Sequence, residues 1–446
     1  MFARRLLRDT GSQFIGDLLS VRATAAYSLR RLYSSYTGNA LTLRRSQDNA
    51  VADIGFTAAG ELDTTALLNH VGYQNLLTHS EQFDNAAWQK TSTIVAPNSA
   101  TAPDGTLTAD RVTGTSVAPF TLLIHQTITH TVNIGDTYTA SAWVRNASPD
   151  LSFRLVRVGG SYEDASILVP QSSDWQRISV TRTFTNPQTG LRIDFINNTV
   201  SNPSIEIWGA QINQGSTPQP YQQTVATAWT SLNGFVATWY DQSINGYNAT
   251  QPTAGNQPQI VVNGVLQTQN SRPTLVGNGN QWLVAGTSTD WTRTTVDGAN
   301  NVVAFRTSGT NLTAIIGASA LASTFGYLEV GSQLGGFRVN TRSTPSLDTF
   351  AVGSVTSLAI VTATASSTSL NLHINGVNQS SLTSSAMIPS APTSGLVIFN
   401  RGTNPDTTTF VGAISEVTIF KDMILSATDR QTLERNQGAY YRIQVI

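Results

Sequence analysis

The stretch LNLHINGVNQ, residues 370–379, sets the reading of this chain. Leu370, Leu372 and Ile374 alternate with Asn371, His373 and Asn375, so a strand here buries one side and wets the other. The run ends on Asn375-Gly376, two residues that tolerate the positive φ of a tight hairpin turn. The same logic recurs. YTASAWVRN (138–146), QRISVTRTFT (176–185), LRIDFINNT (191–199) and IEIWGAQI (205–212) are short and rich in β-branched or aromatic residues. Many short strands divided by turn signals predict an all-β chain built of sandwiches.

Three segments carry a helical spacing instead. In ATAAYSLRRLYSSYTG (23–38), Ala25, Ala26, Leu29, Leu32, Tyr33 and Tyr36 recur every three or four residues, with Gly38 as a stop. In LDTTALLNHVG (62–72), Asp63 caps a short helix with Leu67, Leu68 and Val71 on one side. In LSATDRQTLERNQG (425–438), Ser426 takes the N-cap position and Asp429 follows three residues on, predicting a helix that ends near Gly438.

Composition narrows the function classes. Only 12% of the 446 residues are charged, about half the usual share. Thr, Ser, Asn and Gln carry the polarity, and neutral hydroxyls and amides suit sugar contacts because no charge has to be desolvated. A net charge of -1 gives no global field for nucleic acid or membrane. No apolar run is long enough to cross a bilayer as a helix. Without cysteine there are no disulfides, thiol nucleophiles or thiolate metal sites. Charge is uneven, however. Arg4, Arg5, Arg8, Arg22, Arg30, Arg31, Arg44 and Arg45 face only Asp9 and Asp17 in the first 45 residues. Residues 1–24 are therefore predicted to form a short, helical, basic arm that docks on an acidic partner.

Two compositional seams divide the rest, one near Gly72–Asn75 and one in the linker-like QGSTPQPYQQT (214–224). Between them, NLLTHSEQFDNAAWQK (75–90), TAPDGTLTADRV (101–112) and IEIWGAQINQGSTPQPY (205–221) resemble a jelly-roll carbohydrate-binding module of phage structural proteins. Outside them, LYSSYTGNALTLRRSQDNAVADIGF (32–56) and WYDQSINGYNATQ (239–251) resemble the catalytic sandwich of family 54 α-L-arabinofuranosidases. SLNLHINGVNQSS (369–381) and the closing FVGAISEVTIFKDMILSATDRQTLERNQGAYY (410–441) are similar to a laminin-G or concanavalin-like sheet. The resemblances imply two β-sandwiches, a lectin-like one over 25–72 and 225–446 with a jelly roll inserted at 73–224. They also imply a phage virion protein (tail fibre, head fibre or decoration protein) at the particle surface. Its partners would be other virion proteins through the arm, a host glycan, and further copies of itself, as in a trimer.

Catalysis is a separate question. Hydrolysis of a glycoside needs two carboxylates across the bond. The arabinofuranosidase resemblance offers Glu329 as nucleophile and Asp406 as acid. Both lie out of register with the family, and its cysteine pair at the sugar site is missing here. These departures predict a protein that is not an enzyme, with an arabinofuranosidase-like hydrolase and a purely structural cement protein as the alternatives. His125 and His130 fall on opposite sides of a strand and are poor joint metal ligands. Asp84, Asp104 and Asp241 are the candidates for a structural calcium ion, without an oxygen-rich motif around them. Glycan contacts are expected from Trp143 and Arg145 on the polar side of their strand, Arg157 and Tyr162 at the rim, and Asp241 in WYDQS. For Trp143 the competing reading is packing under a loop, and for Asp241 it is bonding to nearby backbone.

Overall fold

The computed structural model describes residues 14–115, 121–158, 164–295, 297–306, 313–318, 328–333, 336–341, 347–350, 355, 357–383, 392, 394–400 and 409–446. Strands make up 48% of the chain and helices 9%, so the protein is all-β. It divides into two compact units, Gly72–Leu232 and the residues on either side of it, up to Val71 and from Asn233 to Ile446.

The 72–232 unit is a pair of five-stranded antiparallel sheets. One runs in the order Ala165–Leu168, Ser152–Val158, Gln188–Asn197, Leu122–Val132, Gln89–Thr91. The other runs Gln176–Thr183, Thr137–Arg145, Ser204–Gln214, Ala109–Gly114, Thr93–Ala100. Alternation decides the core. Tyr138, Ala140, Ala142 and Val144 point inward from one sheet and meet Phe153, Ile193 and Phe195 from the other. Each large apolar side chain buried this way stabilises the fold by roughly 1.5–3 kcal/mol. The two ends of the unit meet. Asn75 N–H donates to Trp229 O at 3.0 Å and Trp229 N–H returns to Asn75 O at 2.8 Å.

In the other unit the central strand is Val411–Lys421, buried at all but its two ends. It pairs with Gly298–Arg306 on one side and with Ala25–Ser28 and Leu275–Asn278 on the other. The sheet continues through Ala359–Ala365, Ser369–Ile374 and Val377–Thr383. Leu370, Leu372 and Ile374 are buried as their alternation predicts, and the chain turns at Asn375 (φ 51°) and Gly376 (φ 88°).

Residues 25–36 are not helical. Ala25–Ser28 is a strand with all four residues buried, and Arg30 bridges to Glu61. A segment enclosed on both faces shows a solid apolar run, which mimics helical spacing over so few residues. The backbone polar groups beyond the strand are satisfied by a side chain instead. Gln242 accepts from Leu32 N–H (2.7 Å) and donates to Ser28 O (3.1 Å) and Arg30 O (2.9 Å). Residues 14–24 also depart from the predicted helical arm. Only Ile15–Asp17 is helical, as one 3-10 turn. Ile15 and Ala23 are packed in a cluster with Phe420 and Leu433, and Ser20 donates twice to Asp429.

The other two helices form. Asp63 accepts from Ala66 N–H at 2.9 Å ahead of Thr64–Val71. Ser426 caps Ala427–Tyr441 by accepting from Asp429 N–H at 3.0 Å. That helix runs past Gly438, which serves a close approach instead: a Cβ there would meet Val445 at 2.6 Å.

First strand, last strand and last helix converge on Glu416, which is fully buried. Its carboxylate accepts from Arg30 Nε (2.8 Å) and Nη2 (3.2 Å), Ser28 Oγ (2.9 Å), Gln437 Nε2 (2.9 Å) and Tyr441 OH (3.2 Å). Breaking such a pair on one side leaves a bare charge in the core. Arg30→Met is expected to lower unfolding free energy by on the order of 3–5 kcal/mol, read by urea denaturation at neutral pH. A change too small to measure would contradict this account.

Candidate binding face

The Thr137–Arg145 strand does turn Thr139, Ser141, Trp143 and Arg145 away from the core, but that side is not open. Residues 214–221 are a strap across the sheet rather than a free linker. Gly215 N–H bonds to Thr137 O (2.8 Å), and Gly215 O accepts from Thr139 Oγ1 (2.8 Å). Gln219 O accepts from Arg177 Nη2 at 2.6 Å, and Pro220 O from Gln211 Nε2 at 3.3 Å. Thr139 and Ser141 are fully buried as a result. Trp143 is half-buried in an aromatic cluster with Trp175, Trp208 and Tyr221. Trp208 and Tyr221 stack with centroids 4.7 Å apart.

Arg145 is held in place. Its Nε donates to Glu206 at 2.6 Å, and its guanidinium lies 4.7 Å from the Trp175 ring centre. Arg111 donates to the other Glu206 oxygen, also at 2.6 Å. Burial pushes the Glu206 carboxyl up, but these two hydrogen bonds outweigh it and hold it below the ordinary range.

The remaining expected residues are dispersed. Arg157 is half-buried on the Ser152–Val158 strand, opposite Leu191. Tyr162 and Asp406 lie outside the described residues. Glu329 sits on the Leu328–Gln333 strand opposite Asn340. Asp241 is buried in the other unit and accepts four hydrogen bonds. Ala26 N–H and Ser243 N–H reach Oδ1, both at 2.8 Å, while Ser243 Oγ (2.7 Å) and Tyr247 N–H (2.9 Å) reach Oδ2. WYDQS is thus a clamp on the first strand, the local-backbone role. So many donors leave Asp241 poorly suited to calcium. Asp104 accepts from Thr106 N–H and Oγ1 within its own turn. Among the described residues, no three carboxylate or imidazole groups are placed to hold a metal together.

The second sheet of the 72–232 unit carries a different arrangement. On Gln188–Asn197, Ile193 and Phe195 point into the core, so Asp194 points outward. Its neighbours in register are His125 on one side and Arg154 on the other. Two residues back on the same strand is Arg192. Arg154 grips the carboxylate with Nε (2.8 Å) and Nη2 (2.9 Å), and Arg192 with Nε (3.1 Å) and Nη2 (2.7 Å). Asp194 is 0% exposed beneath them, although it faces away from the core. Asp164 continues the network to Arg154 at 3.7 Å. Burial, then the nearby Arg192 charge, push His125 below its usual range, so its ring is neutral at neutral pH. Its Nδ1 makes no hydrogen bond. Thr127, Thr129, Ser166 and Gln89 are exposed on the same sheet.

The chemistry of this face follows from the buried carboxylate. It fixes two planar guanidinium groups, so their remaining N–H edges are oriented before any ligand arrives. A neutral imidazole and threonine hydroxyls add donors and acceptors without net charge. Sequence reasoning missed this cluster. The alternation of Arg192 and Asp194 against Ile193 and Phe195 was a usable signal, but their partners depend on interstrand register.

No family model and no curated protein matches the sequence. Several solved structures are similar, all β-rich. An arabinofuranosidase complexed with arabinofuranosyl-alpha-1,2-xylobiose matches with a TM-score of 0.46 at 10% identity, over 96% of this chain and 64% of that one. The binding domain of Paraclostridial Mosquitocidal Protein 1 matches with 0.36 at 12% identity, over 44% of this chain and 49% of that one. The enzymatically active domain of bacteriophage CBA120 tailspike protein 4 matches with 0.27 at 17% identity, over 32% and 21%. The chain thus spans less than two thirds of each of these proteins.

Trp143→Ala should loosen the strap. We expect a loss of about 2 kcal/mol, less than for a fully buried Trp, and faster proteolytic cleavage within 214–221. Unchanged stability and cleavage would mean that the aromatic cluster does not hold the strap.

Proposed function

We propose that this chain is a surface protein of a phage particle, a tail fibre, head fibre or decoration protein, that binds host glycans and is not an enzyme. The observation that carries the binding reading is the Arg154–Asp194–Arg192 cluster with His125 beside it. It is a rigid set of hydrogen-bonding edges on a sheet that the 214–221 strap does not bond. Sugar hydroxyls pair with such edges, and the oriented donors lower the entropy lost on binding. Trp143 and Arg145 then act as packing beneath the strap. The resemblance of 75–221 to the jelly-roll module of phage structural proteins supports the virion reading. Hydrolysis is not proposed, because Glu329 and Asp406, the carboxylates that the arabinofuranosidase resemblance offers, lie out of register with that family and its cysteine pair is missing here.

The arm is reduced in this proposal to residues 1–13, with Arg4, Arg5 and Arg8 docking on other virion proteins. Copies of the chain associate as a homo-oligomer such as a trimer. No helix among the described residues is long and apolar enough to cross a membrane.

Two experiments test the reading. On an array of bacterial surface polysaccharides, the native chain should bind at least one glycan. Arg192→Ala should weaken that binding about tenfold, a loss of one or two hydrogen bonds to a charged donor, while Trp143→Phe should leave it unchanged. Binding lost in Trp143→Phe and kept in Arg192→Ala would move the site to the aromatic cluster. Separately, a chain lacking residues 1–13 should keep its melting temperature but fail to enter particles. Normal incorporation would rule out the arm as an anchor.

A further inference from the structure

The outward side of the sheet that carries Asp194 has a second row beside its polar cluster. Two residues along each strand from Ser166, Arg154, Asp194, His125 and Gln89 lie Leu168, Ser152, Ile196, Leu123 and Thr91, paired in the same register. Both rows face away from the core, because Phe153, Phe195 and Ile124 between them point into it and Ile167 packs against it. Leu168 is 69% exposed, Leu123 is half-buried and Ile196 is 6% exposed. A lone exposed leucine is ordinary surface. Apolar side chains gathered in one row on the outer side of a sheet, in register with fixed hydrogen-bonding groups, are not.

Ile196 and Leu123 are neighbours across two strands, as are Asp194 and His125 beside them. The two pairs are roughly 6.5–7 Å apart along the strands, within the reach of one hexose ring and its substituents. At the polar pair, Arg154 and Arg192 hold the Asp194 carboxylate, and His125 Nδ1 is without a partner. At the apolar pair, neither side chain offers a hydroxyl anything to bond. A sugar seated over both is therefore amphipathic. It has hydroxyls at one end and, at the other, a group that gains by leaving water.

We propose, on the glycan reading of this face given above, that its ligand is a 6-deoxyhexose residue. The methyl group on C5 lies against Ile196 and Leu123, and the ring hydroxyls meet the guanidinium edges and His125. Such a methyl stands directly on the ring, so it reaches the apolar pair without drawing the hydroxyls off the polar one. A hexose with a hydroxymethyl arm places a hydroxyl there instead, at a desolvation cost that neither side chain returns. An acetamido methyl stands farther from its ring, behind an amide that needs partners of its own. The charges of Arg154 and Arg192 are met by Asp194 and Asp164, so the cluster has no net charge with which to select an acidic sugar.

The test uses the full chain and methyl glycosides paired so that they differ only at C6. They are the α-L-fucoside against the α-L-galactoside, and the α-D-rhamnoside against the α-D-mannoside. Binding is read by saturation-transfer NMR on the sugar. In at least one pair the 6-deoxy member should bind about fourfold tighter, the worth of one buried methyl group, with saturation strongest on its methyl protons. Leu123→Thr, a change that a strand tolerates, should remove this difference, and Arg192→Ala should weaken both members of the pair. Equal binding within both pairs overturns the proposal and leaves the glycan reading standing. So does preference for the 6-hydroxyl members, or tighter binding of methyl N-acetyl-β-D-glucosaminide than of either 6-deoxy sugar. If no monosaccharide binds, the polysaccharide array decides. Every polysaccharide retained should contain a 6-deoxyhexose, and retention of one that lacks it overturns this proposal alone. A chain that retains no polysaccharide overturns the glycan reading and this proposal together.

Discussion

The ion pair between Glu416 and Arg30 is the constraint around which the larger unit is organised. A carboxylate with no exposure must be paired, and five donor contacts surround this one. They come from the first strand region and from the last helix. The sheet around Val411–Lys421 therefore closes only when chain segments almost four hundred residues apart, Ser28 and Glu416 among them, have met. Burial alone would push Glu416 up, but the Arg30 charge and hydrogen bond outweigh it and its carboxyl lies below the ordinary range. A lowered carboxyl stabilises the fold at pH values above the ordinary carboxylate range. That contribution is lost as pH falls through the folded value. Asp241 and Gln242 complete the same junction by satisfying the backbone of residues 26–32, where the chain leaves the sheet.

A parallel choice governs the smaller unit. Two sheets with one shared core have two outer faces, and the strap makes them unequal. It buries Thr139 and Ser141, and it brings Tyr221 against Trp208. An aromatic surface that an isolated strand pattern offers to solvent becomes interior. The other sheet stays polar at its centre because Asp194 recruits guanidinium groups in place of a covering segment. The proposed binding site lies on the face left polar, while the sealed face adds packing to the fold.

How much of this was legible in the sequence depends on the range of each interaction. Period-2 alternation is local, so Leu370, Leu372 and Ile374 and the turn after them were readable directly. Caps are local too, and Asp63 and Ser426 sit where their neighbours imply. The reading failed where burial was two-sided. Ala25, Ala26 and Leu29 resembled one stripe of a helix because nothing local shows that Tyr27 between them is equally buried. It failed again at 214–221, where prolines and glutamines looked like linker. The backbone of that strap is satisfied by Thr139, Arg177 and Gln211, far away in sequence. The Asp194 cluster escaped notice for the same reason, since it exists only once three strands are in register.

The buried carboxylates, compared with one another, separate by what holds them. Glu416, Asp194 and Glu206 are each neutralised by arginine within hydrogen-bond distance, and Asp241 by four neutral donors. Each of these charges is matched inside the fold, so removing its partners costs stability. Asp110 is held by backbone N–H groups instead, those of Phe83 and Asn98 among them, and burial pushes its carboxyl upward where Glu416 and Glu206 are held down. Backbone dipoles offset burial less than a guanidinium charge does, so Asp110 takes up its proton at a higher pH than Glu416 or Glu206.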